Sequence, residues 1–305
     1  MAHKPYKSKD LDAIRQKIDE LDTRIHDTLK ERAELVLKIG EEKRKNNIEI
    51  VQPAREAQMI RRLLSKHKGV LPEMAVVRIW RELVGAVSLL QTGLKVAVAE
   101  IDGHPENWDL AKDYFGSCLP MQRVPTALSA IGLVREAKVN FAVLPWPEDQ
   151  EDQPWWDYLA SDSETPIQII VRLPHGDDPN ELNPSYRALV VAKAGFEESG
   201  DDNSFLMIDC EESVSRARIA AKAEEAGLKP LSISTKHASD ADQDHKHLLE
   251  VGGYMVQGDK KVKALLKLLG EEENKITCIG GYPVPSTYSK TIIAREDTIP
   301  NAPKA

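Results

Sequence analysis

Cysteine is scarce in this chain of 305 residues, and the three present, Cys118, Cys210 and Cys278, are odd in number, widely spaced and free of any C-x-x-C pair. That pattern excludes a disulfide frame or a zinc site and fits unpaired core thiols in a reducing compartment. Long apolar runs are missing as well: none approaches the roughly 18 residues that a membrane helix needs. The opening Met-Ala-His-Lys-Pro-Tyr-Lys-Ser-Lys-Asp carries positive charge with no apolar stretch behind it, so no secretory signal is expected. A cytoplasmic protein with no membrane partner follows. His237, His245 and His247 lie in an Asp-rich stretch without a closed ligand set and are expected to be solvated loop residues, so neither a metal nor another cofactor is called for.

What is present is a soluble composition, 41% apolar and 30% charged, on a length that suits about two domains. The net charge of −8 is uneven: residues 1–92 hold 19 Lys and Arg against 14 Asp and Glu, or +5, which leaves −13 for the rest. The basic residues alternate with carboxylates and have no aromatic platform beside them, so nucleic acid is not expected as a partner.

Periodicity divides the chain. Residues 9–92 read as an all-helical domain, with a long helix from about Leu11 to Lys45, a short one from Pro53 to His67 and a third from Pro72 to Gln91. A first helix of about 35 residues spans some 50 Å, more than an 85-residue monomer can cover, which predicts a homodimer. From Leu94 strands and helices alternate, predicting an α/β unit over 94–193. A βαββαβ order over 203–285 predicts a ferredoxin-like α+β unit, and 286–305 reads as an unstructured tail. The fold class is therefore multi-domain, all-α followed by α/β and α+β. Trp146, Trp155, Trp156 and Tyr158 are expected to pack between units.

The helical part holds one misfit. Leu11, Ile18, Ile25 and Ile39 recur every seven residues, and the missing member of the series is Arg32. A guanidinium on an apolar seam costs several kcal/mol unless an anion compensates it, either a glutamate or an acidic ligand. Lys43, eleven residues on, returns to within about 20° of the same azimuth. Arg15 lies about 25 Å before Arg32 and is turned away from it, so it serves a shared pocket only from a partner chain. Val77, Val84 and Gln91 repeat the seven-residue spacing in the third helix, and Arg55 and Glu56 open the second. Together these make a pocket for a small dianion with no nucleophile in it. Glu56 reads equally as a salt-bridge partner for Arg55 or Arg32 and as a ligand contact.

The runs Leu11–Asp22, Glu31–Leu35, Ile39–Lys43, Pro53–Ala57 and Trp80–Leu83 continuing to Gln91 resemble the all-helical class of chorismate mutases, in order and at matching spacing. The resemblance implies conversion of chorismate to prephenate in aromatic amino-acid biosynthesis, by a rearrangement that needs no proton transfer. It also implies roles: Arg15 of the partner chain and Arg32 for the two carboxylates, Lys43 and Gln91 for the ether oxygen, Glu56 for the ring hydroxyl and Arg55 at the pocket wall. Two positions depart from the pattern, Gln52 where some members are acidic and Val87 where some carry serine. A missing hydroxyl there would weaken substrate binding by about 1 kcal/mol.

The rest of the chain is similar in order to bifunctional chorismate mutase/prephenate dehydratases, whose last part is an ACT regulatory domain. Its functional motifs are absent. The glycine-rich opening loop is replaced by Glu100-Ile101-Asp102-Gly103-His104, and the Thr-Arg-Phe of the dehydratases falls at Tyr186-Arg187-Ala188. Ser213-Val214-Ser215 and Ser234-Thr235-Lys236-His237 stand where phenylalanine-binding signatures are expected. The expectation is a chorismate mutase with a truncated, catalytically inactive dehydratase-like unit and an ACT-like unit. The alternatives are a bifunctional enzyme and a chorismate-binding regulator without turnover.

Overall fold

A computed structural model describes residues 9–46, 51–100, 105–160, 165–177, 186–211, 214–236, 245–270 and 274–289. They fall into two compact units, one of Met1–Ile50 with Leu90–Thr92, the other of Val51–Leu89 with Gly93–Ala305.

The first unit is dominated by α1 (Lys9–Lys45), an unbroken helix of 37 residues and about 55 Å. Asp10 and Asp12 sit in its first turn and Lys43, Arg44 and Lys45 in its last, each sign at the helix end it stabilises. Its heptad residues stay uncovered: Ile18, Ile25 and Ile39 are 50%, 57% and 48% exposed. The unit is closed by Leu90–Thr92, the last residues of α3 (Glu73–Thr92).

The second unit begins with α2 (Pro53–Lys66), whose proline occupies the first turn where no amide donor is needed. In packing, α2 and most of α3 group with the α/β residues. The reason lies in side chains that reach across. Arg61 of α2 donates to the carbonyls of Ser199, Asp201 and Val284, and Ile60 and Val77 share a buried cluster with Tyr288.

Behind these helices runs one nine-stranded sheet in the order β2-β1-β3-β6-β4-β10-β7-β9-β8. β1 (Val96–Ala99) lies parallel to both β2 (Met121–Val124) and β3 (Phe141–Pro145). Their crossovers carry α4 (Asn107–Phe115) and α5 (Ala127–Arg135), the latter capped by the Thr126 hydroxyl. β6 (Ala188–Ala192) runs antiparallel between β3 and β4 (Gln168–Leu173). Every residue of β1, β3 and β6 is buried, as strands covered on both faces require.

The ferredoxin-like layout is present: β7 (Asp202–Cys210), α6 (Arg216–Glu225), β8 (Lys229–Thr235), β9 (His245–Gly252), α7 (Lys260–Leu269) and β10 (Lys275–Pro283) follow the expected order. It does not stand as a separate unit, because β10 pairs with β4 through Gly280 and Ile169 and joins both halves into one sheet. Gly280 has φ +104°, and a Cβ there would lie 2.2 Å from the Ile169 carbonyl oxygen. Of the four aromatic residues expected to pack between units, the three tryptophans do so, while Tyr158 is 42% exposed. Trp155 and Trp156 are buried in a cluster that also holds Phe205, Met207 and Tyr282 of the ferredoxin-like half, and Trp146 meets Phe205 edge-on at 5.9 Å.

One expectation about a single residue is corrected. His247 belongs to β9, is 6% exposed and pairs its Nδ1 with Thr235 Oγ1 at 3.0 Å, so it is no solvated loop residue. Burial first, then the nearby Arg216 charge, lowers its basicity. His237 lies outside the described residues, while His245 opens β9. The chain past Pro285 is placed as far as Ser289: β11 (Ser286–Thr287) pairs with β5 (Gly176–Asp177), and Tyr288 is buried. Only 290–305 of the expected tail lies outside the described residues.

Candidate active site

In the first unit, four of the expected site residues are carried by α1 and the end of α3. Arg32 is half-buried and makes no hydrogen bond or ion pair among the described residues. Lys43 is likewise half-buried. Gln91 meets α1 directly: its Nε2 donates to the Val36 carbonyl at 2.5 Å, and its own carbonyl accepts from Arg44 at 2.9 Å. That approach needs a glycine, because a Cβ at Gly40 would stand 2.6 Å from Gln91 Nε2. The side-chain amide therefore rests on the α1 segment between Val36 and Gly40, one turn before Lys43, and Arg44 next to Lys43 holds the Gln91 backbone carbonyl. Arg15 is far out on the helix, with a side chain 66% exposed and only a loose ion pair to Asp12 at 3.6 Å.

In the second unit, Gln52, Arg55 and Glu56 lie at the start of α2 and Val87 on α3. Gln52 is half-buried at the N-cap of α2, where its carbonyl accepts from the Glu56 amide at 3.0 Å. Arg55 is exposed and Val87 buried. The described partner of Glu56 is neither of the two arginines expected but Arg81, whose Nη1 donates to Oε2 at 2.7 Å. Arg81 is 4% exposed and stacks over the Tyr114 ring at 4.3 Å, and the Tyr114 hydroxyl reaches the same Glu56 oxygen at 3.5 Å. Burial opposes the Arg81 charge, but Tyr114 and Glu56 more than offset this and hold its pKa above the ordinary value. Burial and the Glu56 carboxylate push the Tyr114 phenol up.

Arg81 was missed by the sequence reading, although it announces itself as Arg32 does. It lies four residues after Val77, hence on the same face of an apolar helix. An arginine there needs a buried counter-ion, and Glu56 supplies it.

The expected site residues of the first unit, Arg15, Arg32, Lys43 and Gln91, offer cationic and amide donation. Such a set can hold a dianion and donate to an oxygen that gains charge, and it suits a reaction in which the protein forms no bond to its substrate.

Comparison with known proteins gives this arrangement a relation. Residues 14–92 match the family model of chorismate mutase type II. Over 93 residues, 29% of this chain and 26% of the relative, it is 39% identical to the bifunctional chorismate mutase/prephenate dehydratase of Aquifex aeolicus. Over 144 residues, 44% of this chain and 38% of the relative, it is 30% identical to the enzyme of the same name from Pseudomonas aeruginosa. The matched stretch thus spans between about a quarter and two fifths of these curated relatives. Among solved structures, prephenate dehydratase from Streptococcus mutans aligns with 64% of this chain and 98% of its own, at 15% identity and a TM-score of 0.44. No described helix is long and apolar enough to cross a membrane. From residue 14 to residue 92, then, the chain carries a chorismate mutase type II domain, followed by a mixed α/β region.

Proposed function

We propose that this protein is a chorismate mutase that converts chorismate to prephenate in aromatic amino-acid biosynthesis, as a cytoplasmic homodimer with shared active sites. The observation that carries the proposal is Arg32: a half-buried guanidinium without a partner among the described residues, on a helix whose heptad residues Ile18, Ile25 and Ile39 are uncovered. A second copy would cover the apolar residues, at on the order of 1 kcal/mol for each half-exposed aliphatic side chain. A dianionic substrate would supply the missing counter-charge.

The mechanism then follows from positioning and charge. Arg32 and Arg15 of the partner chain hold the two carboxylates, which folds the substrate into the compact conformer that reacts. Lys43 and Gln91 donate to the ether oxygen as its bond to the ring breaks, so their interaction strengthens in the transition state. The packing of Gln91 on α1 one turn before Lys43 supports this pairing. Glu56 takes the ring hydroxyl, and binding there competes with Arg81 for the carboxylate. Arg55 borders the pocket, Gln52 contributes through its backbone and Val87 adds apolar wall.

The α/β region serves a structural or regulatory role with no dehydratase turnover, and its ferredoxin-like half is an ACT-like unit. In support, the residues between the helices and that half contribute their main strands to one shared sheet, and Tyr186-Arg187-Ala188 stands where the dehydratase threonine motif would fall. The test is turnover of chorismate by the purified chain, with Arg32→Ala as the control that removes it.

A further inference from the structure

Two side chains hold the Glu56 carboxylate, and both use the same oxygen. Arg81 Nη1 of α3 donates to Oε2 at 2.7 Å, and the Tyr114 hydroxyl of α4 reaches that oxygen at 3.5 Å. Oε1 accepts no hydrogen bond among the described residues. Competition for the carboxylate is therefore settled by oxygen, with Oε2 taken and Oε1 left for a ligand. Glu56 keeps 15% of its side chain exposed while Arg81 and Tyr114 are buried, so of the three only Glu56 is open to a substrate.

This arrangement is built by α4 of the α/β region. The end of α4 and the turn after it lie along one stripe of α3, made by Arg78, Arg81, Glu82 and Gly85 at helical spacing. Arg78 pairs with Asp113 at 2.8 Å, and Glu82 accepts from the Ser117 amide and hydroxyl at 2.8 and 2.6 Å. A Cβ at Gly85 would stand 1.9 Å from the Phe115 carbonyl oxygen, so only a bare Cα lets the two helices approach this closely. The approach brings the Tyr114 ring to 4.3 Å from the Arg81 guanidinium. An arginine stacked on a ring is fixed in plane as well as in place, and the carboxylate it pairs with is fixed with it. A glutamate with free side-chain torsions would instead spread its carboxylate over several positions, and the cost of ordering it would fall on substrate binding.

We propose that Arg81 and Tyr114 are positioning residues of the mutase site: they fix Oε2 of Glu56 so that Oε1 accepts the ring hydroxyl of chorismate, and α4 is thereby needed for substrate affinity. The inference rests on the role given to Glu56 above. The ring hydroxyl takes no part in bond breaking, so its contact is the same in substrate and transition state, and losing it raises KM rather than lowering kcat.

Steady-state turnover of chorismate by the full chain tests this in a double-mutant cycle of Tyr114→Leu with Glu56→Gln, each variant verified as folded by circular dichroism. Tyr114→Leu removes the ring beneath Arg81 and should raise KM by about tenfold, the size of one hydrogen bond to a charged group, with kcat within about twofold of wild type. Glu56→Gln keeps the shape, gives up the charge and should raise KM to a similar extent. The double variant should also be raised by about tenfold, rather than by the product of about a hundredfold, because Tyr114 acts through Glu56. Tyr114→Phe, which keeps the ring, should recover most of the loss. Where Tyr114→Leu does not fold, Arg81→Lys replaces it in the cycle with the same expectation, since lysine cannot stack. A product of about a hundredfold in the double variant, or an unchanged KM in Tyr114→Leu, would overturn the positioning role while leaving Glu56 in the site. An unchanged KM in Glu56→Gln would overturn it together with the role of Glu56, and wild-type protein that leaves chorismate unconsumed would overturn both along with the mutase assignment.

Discussion

Gln91 reaches the Val36 carbonyl of α1 across the bare Cα of Gly40, so the amide that closes the third helix is positioned by a missing side chain on the first. Alanine at position 40 would put its Cβ 2.6 Å from Gln91 Nε2. The contact is with the far end of a flexible side chain, which can swing away, and alanine gains about 1 kcal/mol of helix propensity over glycine. Gly40→Ala should therefore keep or raise the thermal stability of the helical unit while lowering kcat toward that of Gln91→Ala, whose loss of one preorganised donor costs about 10²- to 10³-fold. Unchanged kcat in Gly40→Ala would place the catalytic amide elsewhere.

Arg15 is 66% exposed and loosely paired, as a residue that acts in another chain's pocket should be before assembly. Mixing inactive Arg15→Ala with inactive Arg32→Ala chains should restore activity, because half of a heterodimer's sites receive both arginines intact. The expected recovery is about a quarter of the wild-type rate at random exchange, when half the dimers are mixed. No recovery after exchange is confirmed by native mass spectrometry would count against the shared site.

The join between β10 and β4 rests on Gly280. Alanine there meets the Ile169 carbonyl oxygen at 2.2 Å and forces a side chain into φ +104°. The clash is with backbone and cannot relax cheaply, so Gly280→Ala should destabilise by about 3 kcal/mol or more, a fall of roughly 6 to 12 °C in Tm. A Tm within about 2 °C of wild type would mean that the two halves of the sheet are not coupled there.

Burial, with the Arg81 and Arg78 charges beside it, pushes His175 down to about 3 from an ordinary value of 6.5. The folded protein keeps this imidazole neutral where the unfolded chain protonates it, so the unfolded state binds more protons between those two values. Stability is unaffected above pH 6.5 and falls as pH drops below it, by at most about 1.4 kcal/mol per unit. His175→Gln should flatten this limb between pH 6 and 4 in urea denaturation. An equally steep limb in the variant would assign the acid sensitivity to other groups.

Much of this was legible in the sequence. The βαββαβ order over 203–285 emerges as read, because each element carries a clear period of its own. β2 went unread, since Met121-Gln122-Arg123-Val124 is a short edge strand with a charged, half-exposed pattern that resembles a loop. β5 and β11, of two residues each, have no period to detect. The single sheet was hidden for a different reason: one register pair, Gly280 with Ile169, joins two patterns that look complete separately. At the site, residue types and azimuths on α1 could be read from helix geometry. The Glu56–Arg81 pair joins two helices 25 positions apart, and no local spacing encodes it.

The central claim is tested most directly by incubating purified protein with chorismate and resolving prephenate and phenylpyruvate over time at neutral pH. The account predicts enzyme-dependent prephenate, no phenylpyruvate above the uncatalysed background, and loss of turnover in Arg32→Ala. Unconsumed chorismate would contradict the mutase assignment, and enzyme-dependent phenylpyruvate would contradict an inactive second half.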